Sequence, residues 1–217
     1  MDRVPNVCAG PFGAIYDIYI ERPWLMRMIS RAIWGIDASL LYTSMEPIAQ
    51  LADGSTVVDV PCGGGVAFRA LRSDQAVRYL AGDLDTTMLK RASRRAAQRS
   101  LKQVEIVKAD MTALPFGDGE ADLFLSYSGL HMLAEPELAV REIARCLKPG
   151  GRLIGTTFLA EGSRRGQTMF KLGSYTGHPR PPHREDLHGW LTAAGIADAE
   201  IGDELGFTTF TGHKPGP

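Results

Sequence analysis

The sequence predicts an α/β protein built on a mostly parallel sheet with helices on both faces. Two observations point there. From about residue 55 onward, short β-branched or apolar runs alternate with helix-like stretches at a regular pace. The first of those runs also leads straight into a glycine cluster and then into a helical pattern. The composition suits one globular domain, because 217 residues at 44% hydrophobic can fill a core. With 24 basic against 25 acidic side chains, the net charge of -1 argues against a dedicated polyanion binder. The same composition excludes disordered and collagen-like classes.

The elements are readable in order. Candidate strands are Thr56–Val60, Val77–Ala81, Val104–Lys108, Asp122–Ser126 and Arg152–Phe158. Helical patterns run from Val66 to Leu71, Thr87 to Leu101 and Glu135 to Leu147, the last stopped by Lys148-Pro-Gly-Gly151. Residues 160–184 are rich in Gly, Arg, Pro and Ser and predict a long loop or lid. A helix from Arg184 to Ala194, ended by Gly195, and two closing strands at Ala199–Ile201 and Phe207–Thr211 complete the pattern. In the first 50 residues Trp24, Leu25, Met28, Ile29, Ala32 and Ile33 recur at helical spacing, so residues 1–50 predict a helical cap laid against a domain of residues 51–217.

Cys8, Cys62 and Cys146 are widely spaced and form no C-x-x-C pair, which fits a reducing compartment. No apolar run approaches the length of a membrane span or a secretory signal. The expectation is a soluble cytoplasmic protein, a monomer or homodimer.

The chemistry concentrates at Asp59-Val-Pro-Cys-Gly-Gly-Gly65. Glycines after a strand let a ligand approach the backbone more closely than a Cβ would allow. In an open parallel sheet, ligands bind beyond the carboxyl ends of the strands, so a nucleotide-like ligand is expected. The dinucleotide pattern G-x-G-x-x-G, begun at Gly63, fails at Phe68, which disfavours a nicotinamide-dependent dehydrogenase. A carboxylate at Asp59 suits a ligand bearing an amino group better than a pyrophosphate.

This run resembles the glycine motif of class I S-adenosylmethionine-dependent methyltransferases, of the kind that act in ubiquinone biosynthesis. Pro61 stands where the first glycine of that motif usually lies. Three further stretches are similar to the family. Ala81-Gly-Asp-Leu-Asp-Thr-Thr-Met-Leu89 places Asp83, 18 residues after Gly65, where the family's carboxylate accepts from the ribose hydroxyls. Lys108-Ala-Asp-Met111 puts Asp110 where an acidic side chain receives the adenine amino group, with Met111 covering the ring. Arg141-Glu-Ile-Ala-Arg-Cys-Leu-Lys-Pro-Gly-Gly-Arg-Leu153 resembles the run before strand five.

The resemblance covers roughly residues 55 to 158. It implies a Rossmann-like sheet of seven strands with an antiparallel last strand, and S-adenosyl-L-methionine as cofactor. The cofactor residues it implies are Asp59, Pro61, Cys62, Gly63, Gly65, Asp83, Leu84, Met88, Asp110, Met111 and Ser126. It also implies methyl transfer to a small-molecule acceptor, apolar or aromatic given the N-terminal helices, with Tyr16, Tyr19 and Tyr127 as acceptor-site candidates. His131, after the fourth strand, is the candidate general base if the acceptor must lose a proton. A cofactor-binding accessory module without activity and an RNA methyltransferase are the alternatives.

Plainer roles stand beside these. Asp83 could cap the helix that starts near Thr86, and Asp110 could anchor a turn. Asp59 could be a buried carboxylate tied to neighbouring donors. Lys90, Arg91, Arg94, Arg95, Arg99 and Lys102 put six cations within thirteen residues, a pattern more typical of a solvated helix face than of a nucleic-acid site. His178, His183 and His188 are interrupted by prolines, and no metal is expected.

Overall fold

The computed structural model describes Ile20 and residues 22–216, apart from Thr176, His178 and Leu205. Seven strands form one sheet in the order β3-β2-β1-β4-β5-β7-β6. They are β1 (Thr56–Asp59), β2 (Arg78–Asp83), β3 (Val104–Lys108), β4 (Ala121–Tyr127), β5 (Leu147–Phe158), β6 (Ala197–Ile201) and β7 (Phe207–His213). Neighbouring strands are parallel, except that β7 runs antiparallel to both β5 and β6. This is the expected Rossmann-like arrangement.

The α-helices are α1 (Pro23–Ile33), α2 (Leu40–Thr43), α3 (Thr86–Gln98), α4 (Pro136–Cys146), α5 (Arg164–Ser174) and α6 (Arg184–Ala193). Alternation along β1, β2 and β4 sends side chains to opposite faces. On one face Val57, Tyr79, Leu123 and Leu125 pack with Ala92 and Ala96 of α3 and with Leu41, Met45 and Ile48 of the N-terminal segment. On the other face Val58, Leu80 and Phe124 pack with Val140 and Ile143 of α4 and with Leu187 and Leu191 of α6. All of these are buried, so both faces are covered.

Two expectations change. The stretch Val66–Leu71 forms a short 3-10 helix, Val66–Ala70, because Gly65 in a left-handed conformation starts it and extended Leu71 ends it. Residues 160–184 are not one long loop. Ser163 Oγ accepts from Gly166 N–H at 3.1 Å, an N-cap that starts α5. Glycine and arginine content had masked a helix whose inward side chain is Phe170.

The run before strand five has a structural role. The Arg145 guanidinium donates to the carbonyls of Phe116 (2.9 Å) and Leu114 (3.1 Å), and Glu142 accepts from Leu114 N–H at 2.8 Å. The pair clamps the loop that leads into β4. Lys148 Nζ and Thr56 N–H both donate to Asp122, at 2.6 and 2.7 Å, joining the starts of β1, β4 and β5.

Candidate active site

Strand order reverses between β1 and β4, which opens a crevice beyond their carboxyl ends. The glycine loop forms its floor. Cys62 N–H donates to Gly82 O (2.8 Å), Gly63 N–H to Asp83 Oδ2 (2.9 Å) and Gly65 N–H to Cys62 O (2.9 Å). Those amides are occupied within the protein, so the loop contributes shape more than donors.

Its two key glycines do different work. Gly63 has φ +52° and a Cβ there would meet nothing within 4 Å, so its empty side faces open space. Gly65 has φ +81° and a Cβ there would come within 2.4 Å of the Phe68 ring. Phe68, the residue that breaks the dinucleotide pattern, is wholly buried against Gly65 and lies edge-on to Tyr79 at 5.5 Å. Pro61 is accommodated from across the crevice. A Cβ on Gly129 would lie 2.4 Å from Pro61 Cδ and 2.9 Å from Met111 Sδ, so glycine at 129 makes room for proline at 61.

Asp83 lies at the end of β2 and is 7% exposed. Its Oδ2 accepts from Gly63 N–H and its Oδ1 from Asp85 N–H at 2.8 Å. The helix cap is Asp85 instead, whose side chain accepts from Thr87 N–H at 2.6 Å. Asp83 therefore bridges the glycine loop and the β2 turn. Burial raises its pKa. Leu84 beside it is exposed, whereas Met88 is buried on the inner side of α3.

Asp59 is buried deeper. Tyr79 Oη donates to its Oδ2 at 2.8 Å, while Oδ1 has no partner among the described residues. Desolvation pushes its pKa up to about 7. The same burial drives the Cys62 thiol well above its usual range, which leaves it an inert filler. Asp110 accepts from both Thr112 N–H (2.9 Å) and Thr112 Oγ1 (2.7 Å) through Oδ1, so it does anchor a turn. Its other oxygen points to no described partner. Met111 is buried against Gly129, and the Ser126 hydroxyl is buried without a partner among the described residues.

The β4–β5 side has another character. The His131 ring stands edge-on to Phe158 (5.0 Å) and Phe170 (6.3 Å). Trp34 lies against Phe158 and Phe170 at 5.1 and 5.3 Å, and Phe207 against Phe158 at 5.0 Å. Five rings from five distant segments thus form one wall. Phe158 N–H donates to His131 Nδ1 at 3.4 Å, and the Thr157 hydroxyl lies 3.3 Å from the same nitrogen. With Nδ1 accepting, the neutral ring carries its proton on Nε2. Burial lowers its pKa to about 4.

Tyr127 directs its hydroxyl to Ser44 O at 3.1 Å, tying the N-terminal segment to β4. Tyr16 and Tyr19 lie outside the described residues. Sequence reasoning missed Tyr79, Gly129, Phe158 and Phe170. Only the clustering of aromatic residues near the ends of strand five and in residues 160–184 carried a trace of the wall.

The donor set fits an aminoacyl nucleoside. Asp83 offers two acceptors at the rim, Asp59 Oδ1 is a buried acceptor lacking a donor, and the space over Gly63 is open. Among the described residues, no cluster of His, Cys, Asp and Glu could hold a metal, and no helix is long and apolar enough to cross a membrane.

Comparison with known proteins agrees. A family model described as a methyltransferase domain matches residues 58–155. A demethylmenaquinone methyltransferase of Clavibacter sepedonicus is 28% identical, over 92% of this chain and 86% of its own. A ubiquinone/menaquinone biosynthesis C-methyltransferase of Ruegeria sp. is 33% identical, over 79% of this chain and 66% of its own. The chain spans 56% of an uncharacterized chloroplastic methyltransferase of Arabidopsis thaliana, at 26% identity.

Among solved structures, a Haemonchus contortus phosphoethanolamine N-methyltransferase in complex with S-adenosyl-L-methionine superposes with a TM-score of 0.71, at 15% identity, over 82% of this chain and 53% of that one. The [4+2]-cyclase SpnF superposes with a TM-score of 0.68, at 20% identity, over 94% and 96%. Such distant likenesses speak for the fold, which serves more than one chemistry. Taken with the matched domain and the curated relatives, the strand-end carboxylates and open glycine loop place this chain in the class I S-adenosylmethionine-dependent methyltransferases.

Proposed function

We propose that the protein methylates an apolar aromatic small molecule, with a quinol-type ring as the leading candidate. The observation that carries this reading is the wall of partly exposed Trp34, Phe158 and Phe170, backed by the buried rings of His131 and Phe207, an aromatic surface suited to an apolar ring. The curated relatives whose names mention demethylmenaquinone and ubiquinone support it.

S-adenosylmethionine, when bound, supplies an electrophilic methyl group on a sulfonium. Asp83 would hold the ribose hydroxyls, Asp110 the adenine amino group and Asp59 the amino end. Charge is lost during such a transfer, so a dry apolar wall lowers the barrier, and alignment of the two reactants supplies much of the rest. His131, placed first as a candidate base, has a neutral ring and an occupied Nδ1. Its Nε2–H is suited to donate to an acceptor oxygen and so orient the ring, which makes it a positioning group in this reading.

Incubation with labelled S-adenosylmethionine and separate acceptors tests the proposal: a short-chain demethylated quinol, a simple catechol and bulk RNA. A ring-methylated quinol or catechol identified by mass spectrometry is the expected product. Label found in RNA alone would overturn the reading.

A further inference from the structure

The outer surface of α1 and α5 is unlike the rest of the molecule. Among the described residues the exposed large apolar side chains are Trp24, Met28 and Ile33 of α1, Met169 and Leu172 of α5, Tyr175 just after it, and otherwise only Leu84. Trp24 is 66% exposed, Leu172 56% and Tyr175 78%. Solvation of that much apolar area is unfavourable unless something covers it.

The charge on the two helices has one sign. They carry Arg27, Arg31, Arg164, Arg165 and Lys171 and no Asp or Glu, in a chain whose net charge is -1. Asp37, beyond α1, pairs with both Arg27 (3.1 Å) and Arg31 (2.8 Å), which fixes these arginines beside Trp24 and Met28 but neutralises only one charge. The helices are joined where the chain turns inward. Ser163 Oγ donates to Trp34 O, Arg165 Nη1 donates to Ala32 O at 3.3 Å, and the Trp34 and Phe170 rings lie 5.3 Å apart. These contacts link the two helices to each other and to the aromatic wall behind them.

We propose that this surface docks the protein on an anionic phospholipid bilayer. Aromatic and aliphatic side chains flanked by arginines and lysine match an interface whose headgroups are negative and whose acyl region is apolar. Trp and Tyr settle at the headgroup level, and long cationic side chains reach phosphates while their stems stay apolar. A protein partner would need a complementary acidic and apolar face, whereas a bilayer supplies both features without side-chain matching. Docking in this orientation brings α1, which Trp34 follows, and α5, which carries Phe170, against the lipid. That gives an apolar acceptor a path to the wall, a consequence that rests on the proposed function, whereas docking itself does not.

The test is sedimentation of the full chain with vesicles, without cofactor or acceptor, so that its outcome is independent of turnover. Vesicles of phosphatidylcholine alone are compared with vesicles containing about one third phosphatidylglycerol. The expected result is binding to the second kind, weakened by added salt, with a blue shift of tryptophan emission that Trp24→Phe abolishes. Arg164→Glu with Lys171→Glu should lower the partition by roughly thirtyfold or more, since each cation near such a surface is worth about fivefold. Trp24→Ser with Leu172→Ser should lower it by about tenfold. All four side chains are exposed, and unchanged thermal melting confirms folding of each variant. Absence of binding at low salt, equal binding to both kinds of vesicle, or variants that bind like the parent would each overturn the proposal. So would a concentration-dependent dimer that Trp24→Ser dissolves, because the face would then belong to a second copy.

Discussion

The crevice has two sides built on different principles. On the β1–β2–β3 side, the proposed cofactor site is held by local backbone geometry: Gly63 and Gly65 at positive φ, and Asp83 accepting from the Gly63 and Asp85 amides. On the β4–β5 side, Trp34, His131, Phe158, Phe170 and Phe207 come from five separate segments and meet only through side-chain packing. A cofactor of constant shape can be served by a fixed turn. An acceptor that differs between enzymes is served by a surface that can change one ring at a time.

The largest effect should fall on the cofactor side. Asp83→Ala removes the acceptors expected for two hydroxyls and should weaken S-adenosylmethionine binding by about 3 kcal/mol or more, given roughly 1.5–3 kcal/mol per charge-assisted contact. Calorimetry reads it directly, and unchanged affinity in a folded variant would mean that the ribose site lies elsewhere. The two glycines should then separate folding from binding. Gly65→Ala adds a Cβ that collides with Phe68 at a positive φ, and should cost about 2–5 kcal/mol of stability. Gly63→Ala meets no neighbour and should cost only about 1–2 kcal/mol, yet it should still impair cofactor binding. Equal denaturation midpoints for the two variants would contradict this division.

Asp59 on one side and His131 on the other are buried groups whose titration acts on stability in opposite directions. In the fold His131 stays neutral down to about pH 4, while in the unfolded chain it takes a proton near 6.5, so its contribution is lost as pH falls through that window. Asp59 keeps its proton up to about pH 7 in the fold but releases it near 3.8 when unfolded, so stability is lost as pH rises through that range. Relative to the parent, His131→Gln should therefore improve toward pH 4 and Asp59→Asn toward pH 7, each by about 2–3 kcal/mol across its window. Urea unfolding at several pH values measures both slopes; parallel curves would remove the assignment. The smallest change is expected from Lys90→Glu with Arg94→Glu, on the exposed side of α3 away from both halves. Turnover on a small-molecule acceptor should shift less than about twofold, because surface charges of this kind are worth about 0.5 kcal/mol or less.

Legibility followed the same division. Asp59, Gly63, Gly65 and Asp83 could be placed from sequence because each sits within a few residues of the strand that positions it. Asp110 and Arg145 were recognisable as motif residues, but their hydrogen bonds show that one secures a turn and the other clamps the loop before β4. Pro61 departs from the motif, and the space for it is left by Gly129, 68 positions along the chain. Phe170 was hidden in a segment whose composition suggested a loop.

Alternation of apolar runs, the placement of turn glycines and the order of motifs determine this protein's sheet, its glycine loop and its family, because those properties depend on neighbours within a few residues. Which aromatic rings converge on His131, why proline is tolerated in the glycine loop and which helix faces remain uncovered were decided by tertiary packing. Those outcomes depend on contacts between residues far apart in the chain, for which local periodicity carries no signal.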